Sequence, residues 1–190
     1  MSQNFPELSS EKHTSASKKW ASCFLVICLG AAPQLLQNAI FIEAPYFSDS
    51  MPEGNAINGL LMFTFVFSNV ITLLYALINQ KFKIDDIISI SVILGVSIYL
   101  AILAALFWAV NYGDWSYGLL ILSFLAAGFG NTSVMVFFSY ASDKDFPLFK
   151  TSMTIGYSLS GVIALLLGVA QNVEHSNEMN FPPTIYFTST

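Results

Sequence analysis

Long apolar runs alternate with short polar segments along most of the chain. Five stretches contain no Asp, Glu, Lys or Arg: Trp20–Ile42, Gly54–Gln80, Ile87–Gly113, Trp115–Ser142 and Thr151–Val173. Each exceeds the roughly 20 residues that an α-helix needs to cross the hydrocarbon core of a bilayer. A membrane barrel would instead show alternating segments of about ten residues, and none is visible. The pattern therefore predicts an all-α fold, a polytopic transmembrane helical bundle with five spans.

Basic and acidic residues lie on different connecting segments, which alternate along the chain. All seven basic residues are lysines, and they precede the first span or lie between the second and third or between the fourth and fifth. The other connections contain acidic residues and no lysine. Because cytoplasmic loops are enriched in basic residues, we expect a cytoplasmic N-terminus and an external Glu43–Gly54 loop.

The two ends of the chain differ from the spans. Residues 1–19 are mostly polar and predict a disordered cytoplasmic tail, which leaves residues 20–190 as the transmembrane domain. The apolar run after Lys19 is too long for a cleaved signal peptide, so we expect it to remain as a membrane helix. Near the other end, Pro182 and Pro183 suit the first turn of a sixth helix. We expect the chain to be the first half of a larger transporter.

Composition excludes several functions. Only 10% of residues are charged and none is arginine, so no basic face is available for nucleic acid. His13 and His175 have no partners at metal-ligand spacing, and no glycine loop of the kind that cradles phosphates is present. We therefore expect neither an enzyme nor a bound metal or cofactor.

Primary amides inside the predicted spans are the first candidates for function. Four of these amides are singled out: Gln34, Asn38, Asn69 and Asn131. An amide has four hydrogen-bonding positions, so its burial in hydrocarbon is costly unless each finds a partner. Polar groups within the membrane are functional hypotheses by default, and we assign these amides to a solute pathway. For Thr64, Ser68, Thr72, Ser160 and Gly161 ordinary helix packing is favoured. Glu43 admits two interpretations, a functional residue or a solvated carboxylate at the interface.

Several short motifs resemble the eukaryotic riboflavin transporter family. Asn38-Ala-Ile-Phe-Ile-Glu43-Ala-Pro45, followed by Pro52-Glu53-Gly54, resembles its first helix and outer loop. Ser68-Asn69-Val70 is similar to an Ala-Asn-Ile segment of its second helix, and Thr132-Ser133-Val134 to a Ser-Ser-Val segment of its fourth. Leu159-Ser160-Gly161 and Ala170-Gln171 resemble its fifth helix, and 181–187 the start of its sixth. The chain differs from the family at Phe129, where the family has an acidic residue, and at Tyr157-Ser158, where it has Glu-Gly.

The resemblance implies the first half of a two-bundle carrier of about eleven spans, which takes up riboflavin across the plasma membrane by alternating access. The remaining partners would be the lipid bilayer and a C-terminal helical bundle of the same protein. Riboflavin needs aromatic surfaces, amides and hydroxyls around it. The predicted substrate-binding residues are Asn38, Glu43, Asn69, Thr132, Ser133 and Tyr157.

Two other functions remain open at this point. A carrier for nucleosides or other polar heterocycles would use the same amide chemistry. A non-transporting membrane receptor or scaffold would instead seal the amides of Asn38 and Asn69 against neighbouring helices.

Overall fold

The computed structural model describes residues 7–143, 147–172 and 180–189. Within these residues every regular element is a helix. The eight helices are α1 (Glu7–Ile42), α2 (Ala44–Ser50), α3 (Ala56–Phe67), α4 (Asn69–Phe82), α5 (Asp86–Phe107), α6 (Tyr117–Asp143), α7 (Pro147–Gln171) and α8 (Pro183–Ser189).

Five segments are long and apolar enough to cross a membrane, which confirms the predicted helical bundle. They are Trp20–Ile42, Ala56–Phe82, Asp86–Phe107, Tyr117–Ser142 and Leu148–Gln171. Many large apolar side chains on them point outward, for example Leu73 and Leu166, which are 59% and 63% exposed. Such a surface suits contact with lipid rather than water.

The observed starts of helices α1 and α8 can be compared with the bounds expected from the sequence. Helix α1 begins at Glu7, so most of the polar segment assigned to a tail continues the first span as helix, and residues 1–6 lie outside the described part. Helix α8 begins at Pro183, where the fixed φ of proline suits the first helical position and its missing N–H costs no helical bond.

Helices α1 and α6 form the centre of the bundle. Helix α7 packs along α1, while α3, α4 and α5 pack against α6, and α8 packs mainly against α5. Gly156 permits the close approach of α7 to α1, because a Cβ atom there would collide with the carbonyl oxygen of Ile27. In the described part of the chain, α4 and α7 do not pack against each other, so they flank the α1–α6 pair on either side.

Lysines lie at one end of the bundle, and helix α2 lies at the other. The lysine end contains Lys81, Lys83 and Lys150, and the opposite end, where α2 lies, is the α2 end. At the α2 end the carboxylate of Glu53 accepts hydrogen bonds from the backbone N–H and the hydroxyl of Ser116, at 2.5 and 2.8 Å. Since Ser116 directly precedes α6, this pair fixes the loop between α2 and α3 to the start of that helix.

Candidate functional site

The second span is interrupted near its middle. Helix α3 ends at Phe67 and α4 begins at Asn69, with Ser68 between them. The Ser68 hydroxyl donates to the carbonyl of Phe65 (2.7 Å), and the Asn69 amide donates to that of Val66 (2.9 Å). These side chains bond carbonyls in the last turn of α3, where lipid offers no alternative donors. The backbone of Ser68 keeps helical φ and ψ, and its N–H donates to the carbonyl of Thr64, so the interruption is confined to one residue.

A set of polar side chains extends from this break across four helices, and we call it the polar band. Its members are Gln34, Asn38, Asn69, Thr72, Asn131, Thr132, Ser133, Tyr157 and Ser160. Asn131 donates to the Asn69 side-chain oxygen at 3.1 Å, and the hydroxyls of Thr72 and Thr132 lie 3.1 Å apart. Both contacts join α4 to α6.

Helices α1 and α7 join the band through three further hydrogen bonds. Gln34 donates to the carbonyl of Gly130 at 3.0 Å, and Asn38 donates to the Ser160 hydroxyl at 2.8 Å. The Tyr157 hydroxyl donates to the carbonyl of Ser133 at 3.2 Å, and its ring stacks on Phe138. The structure thus brings together five of the six predicted site residues, and Glu43 lies apart from them.

The members of the band differ in exposure. Thr132 and Ser133 are buried, Asn38 and Tyr157 are half-buried, and Asn69 is exposed. The amides of α1 therefore hold helices together, as the packing interpretation requires. Asn69 instead presents its amide at an open surface of the bundle, where it bonds the half-buried Asn131, as a solute pathway requires.

Glu43 lies at the α2 end, one residue beyond the first span, and its surroundings differ from those expected of a solvated carboxylate. Its side chain is 0% exposed, and neither carboxyl oxygen has a hydrogen-bond partner. Burial raises the pKa of Glu43 to about 7, against a smaller lowering by the neighbouring amide of Gln171. No hydrogen bond of normal geometry joins the two side chains.

Two residues complete this region, and together with Glu43 they form what we call the Glu43 cluster. Gln171 and Tyr186 are both 0% exposed. Gln171 donates to the carbonyl of Phe181 at 3.1 Å, and the Tyr186 hydroxyl donates to the carbonyl of Ala164 at 3.0 Å. Sequence reasoning did not assign either to a site, although Ala170-Gln171 was one of the motifs noted above.

Three clefts on the flanks of the bundle contain none of the predicted site residues. One, of about 470 Å³, lies between α1 and α7 near the lysine end. A second, of about 380 Å³, lies between the same helices near the α2 end. The third, of about 300 Å³, lies between α1 and α5 beneath the end of α8. Their linings are mostly apolar, so they suit lipid chains or packed helices better than a polar solute.

Comparison with known protein families agrees with this arrangement. The profile of solute carrier family 52, riboflavin transporter, matches residues 18–185. No curated protein and no solved structure matches the chain. The matched segment includes all five spans, the polar band, Glu43 and Gln171, whereas Tyr186 lies one residue beyond it. The chain therefore belongs to the solute carrier family 52 of riboflavin transporters and is a multi-pass membrane transport protein.

Proposed function

We propose that this protein moves riboflavin across the plasma membrane by alternating access, with the polar band as part of the substrate path. The observation on which this rests is the open pair Asn69 and Asn131, at the level where the second span is interrupted. Their amides have free hydrogen-bonding positions beyond the one bond that joins them. An uncharged polar substrate can bind there without a buried counter-ion.

The chemistry of riboflavin fits this surface. Its isoalloxazine ring needs a flat aromatic contact, and its imide edge and ribityl hydroxyls need amides and hydroxyls. Tyr157 supplies a half-buried aromatic ring and Asn69 an exposed amide, whereas Asn38 and Thr132 join the helices around them and Ser133 is fully buried. Glu43 belongs to a separate region, so we place it outside the substrate contacts.

The remaining side of the path would come from a second helical bundle. Exposed amides at mid-membrane are unfavourable against lipid, and a facing bundle would cover them and leave a solute channel between. In this arrangement α8 lies over one end of the cleft between α1 and α5. The N-terminus would be cytoplasmic, as the lysines predict.

Uptake measurements test the proposal. Cells that express the chain together with such a second bundle should accumulate labelled riboflavin, and Asn69→Ala should reduce the uptake rate by about tenfold, the loss of about 1.4 kcal/mol of binding. Asn58→Ala, which removes an exposed amide of α3 that bonds Ser48, is the matched control and should transport normally. Uptake no greater than in cells without the protein would refute a riboflavin carrier.

Competition and binding separate the remaining alternatives. Unlabelled uridine or adenosine should not reduce riboflavin uptake, whereas competition by either would favour a carrier for nucleosides. Riboflavin should also raise the melting temperature of the purified protein in detergent, because a ligand that binds the folded state stabilises it. A receptor or scaffold without a flavin site would show neither uptake nor this shift.

A further inference from the structure

Glu43 lies where the ends of three helices converge, and the polar band does not account for it. It directly follows α1, Gln171 is the last residue of α7, and Tyr186 lies on α8. All three side chains are inaccessible to solvent. Two fully buried rings, Phe47 and Phe187, stack next to them with centroids 6.4 Å apart and keep this region apolar.

Three buried oxygen atoms in the Glu43 cluster have no hydrogen-bond donor. They are both carboxyl oxygens of Glu43 and the side-chain oxygen of Gln171. The Tyr186 hydroxyl donates to Ala164 and one N–H of the Gln171 amide donates to Phe181, while the second N–H of Gln171 makes no hydrogen bond of normal geometry with Glu43. An ionised carboxylate in such a place is strongly unfavourable, and the usual outcome is that the group becomes neutral.

A bound proton satisfies these buried oxygens better than a bound metal ion would. Calcium takes six to eight oxygen ligands and magnesium requires an octahedron, whereas this cluster has four side-chain oxygens, of which three are unpartnered, and a single carboxylate. One proton removes the charge of Glu43 and converts one of its oxygens into a donor. The adjacent oxygen of Gln171 is a buried acceptor that lacks such a donor.

Among the described residues, the other charged groups near the α2 end are exposed, neutral or already paired, and Asp114 in the loop before α6 is exposed. On α8, Tyr186 is in electrostatic contact with Glu43, and its hydroxyl is neutral at ordinary pH. On α2, Asp49 is exposed, and in the following loop Glu53 is bonded to Ser116. The first and fifth spans contain no acidic residue, and the only basic residue of the fifth span, Lys150, lies at the lysine end.

We infer that Glu43 is a proton-binding site that closes the α2 end of the bundle. With the proton bound, the neutral carboxylic acid stays buried and holds the ends of α1, α7 and α8 together. Release of the proton leaves a carboxylate that needs water, so these helix ends separate until solvent reaches it. The inference concerns the closure of this end and does not depend on the identity of the transported solute.

The sign of the expected pH dependence follows from burial. The pKa of Glu43 is raised from 4.5 to about 7 in the folded protein, so the folded state binds this proton more tightly than the unfolded chain. The stabilisation is complete below pH 4.5 and is lost as the pH rises through about 7. Glutamine at position 43 mimics the protonated form at every pH.

Thermal unfolding of the purified chain in detergent between pH 4.5 and 8.5 tests the inference. The melting temperature of Glu43→Gln should exceed that of the wild type at pH 8, and the difference should vanish towards pH 4.5. Asp49→Asn, which neutralises the exposed acid on α2, should keep the wild-type profile. His175→Gln, in the neighbouring connection outside the described residues, is the second control. The assignment would be overturned if Glu43→Gln kept the wild-type dependence of melting temperature on pH. It would also be overturned if either control variant lost that dependence.

Two further measurements do not depend on the stability of the variant. Infrared spectra of the wild type should contain a band of a protonated carboxylic acid at pH 6 that disappears by pH 8.5, and absence of this band at pH 6 would refute the proton site. Hydrogen exchange of 180–189, corrected for its intrinsic pH dependence, should accelerate over the same range, and an unchanged rate would refute closure. If the wild type at pH 8 were more stable in NaCl than in KCl, and Glu43→Gln showed no such difference, the site would bind sodium instead of a proton.

Discussion

The polar band and the Glu43 cluster are two polar regions within the same apolar bundle, and they differ in how their hydrogen bonds are satisfied. Each amide of the band that joins two helices has a partner, for example Asn38 with Ser160. In the cluster, three oxygens are buried without any donor. Satisfied groups stabilise one arrangement of the helices, whereas unsatisfied ones favour a change that supplies a donor or water. The band is therefore suited to recognition on a fixed frame, and the cluster to a movement at one end.

The largest expected effect comes from replacing a member of each region by leucine. At pH 8, Glu43→Leu should raise the free energy of unfolding by about 3 kcal/mol, the value of a pKa shift from 4.5 to about 7. Asn38→Leu should lower it by about 1 kcal/mol, because a satisfied hydrogen bond between helices is lost. Unfolding in denaturant checks both changes. The same sign in both variants would remove the contrast between the regions.

The packing of α7 on α1 supports both regions, so a change there should weaken them together. Gly156→Ala should lower the free energy of unfolding by about 2 kcal/mol, because the new methyl group meets the backbone of α1. Gly95→Ala on α5, where a Cβ atom meets nothing within 4 Å, is the matched control and should be neutral or slightly stabilising. Equal melting temperatures for the two variants would contradict the proposed contact.

Glu53 provides a second acidic residue at the α2 end with the opposite environment to Glu43. Glu53→Gln should lower the free energy of unfolding at pH 7 by about 1 kcal/mol, since the charge-assisted bonds to Ser116 at the start of α6 are weakened. Glu43→Gln should have the opposite sign at the same pH. A stabilising Glu53→Gln would show that the loop does not need this pair.

The smallest effect is expected at the open part of the polar band. A double-mutant cycle with Asn69→Ala and Asn131→Ala should give a coupling energy of about 0.6 kcal/mol, typical of hydrogen bonds between membrane helices. Both single variants should nevertheless reduce riboflavin uptake. A larger coupling with normal uptake would assign this pair to packing alone.

The spans, their order and their polar members were predictable from the sequence because they depend on local properties. Runs without charge such as Ile87–Gly113 give the helices directly, since the bilayer requires internal hydrogen bonding of each spanning segment. The pair Pro182 and Pro183 likewise marks the start of α8, which begins at Pro183. The sequence also identified Asn69 and Asn131 as candidates, because an amide within an apolar run can be recognised without knowing how the helices pack.

Only the tertiary structure decided which of these polar groups obtain partners. The sequence left Glu43 as a residue at the membrane edge with either a functional or a solvated role, and it gave no role to Gln171 or Tyr186. These three residues lie far apart along the chain and become one buried cluster only because α1, α7 and α8 converge at the α2 end. Composition and periodicity determine whether a segment enters the membrane, whereas burial and hydrogen bonding of a single side chain depend on which other helices pack against it.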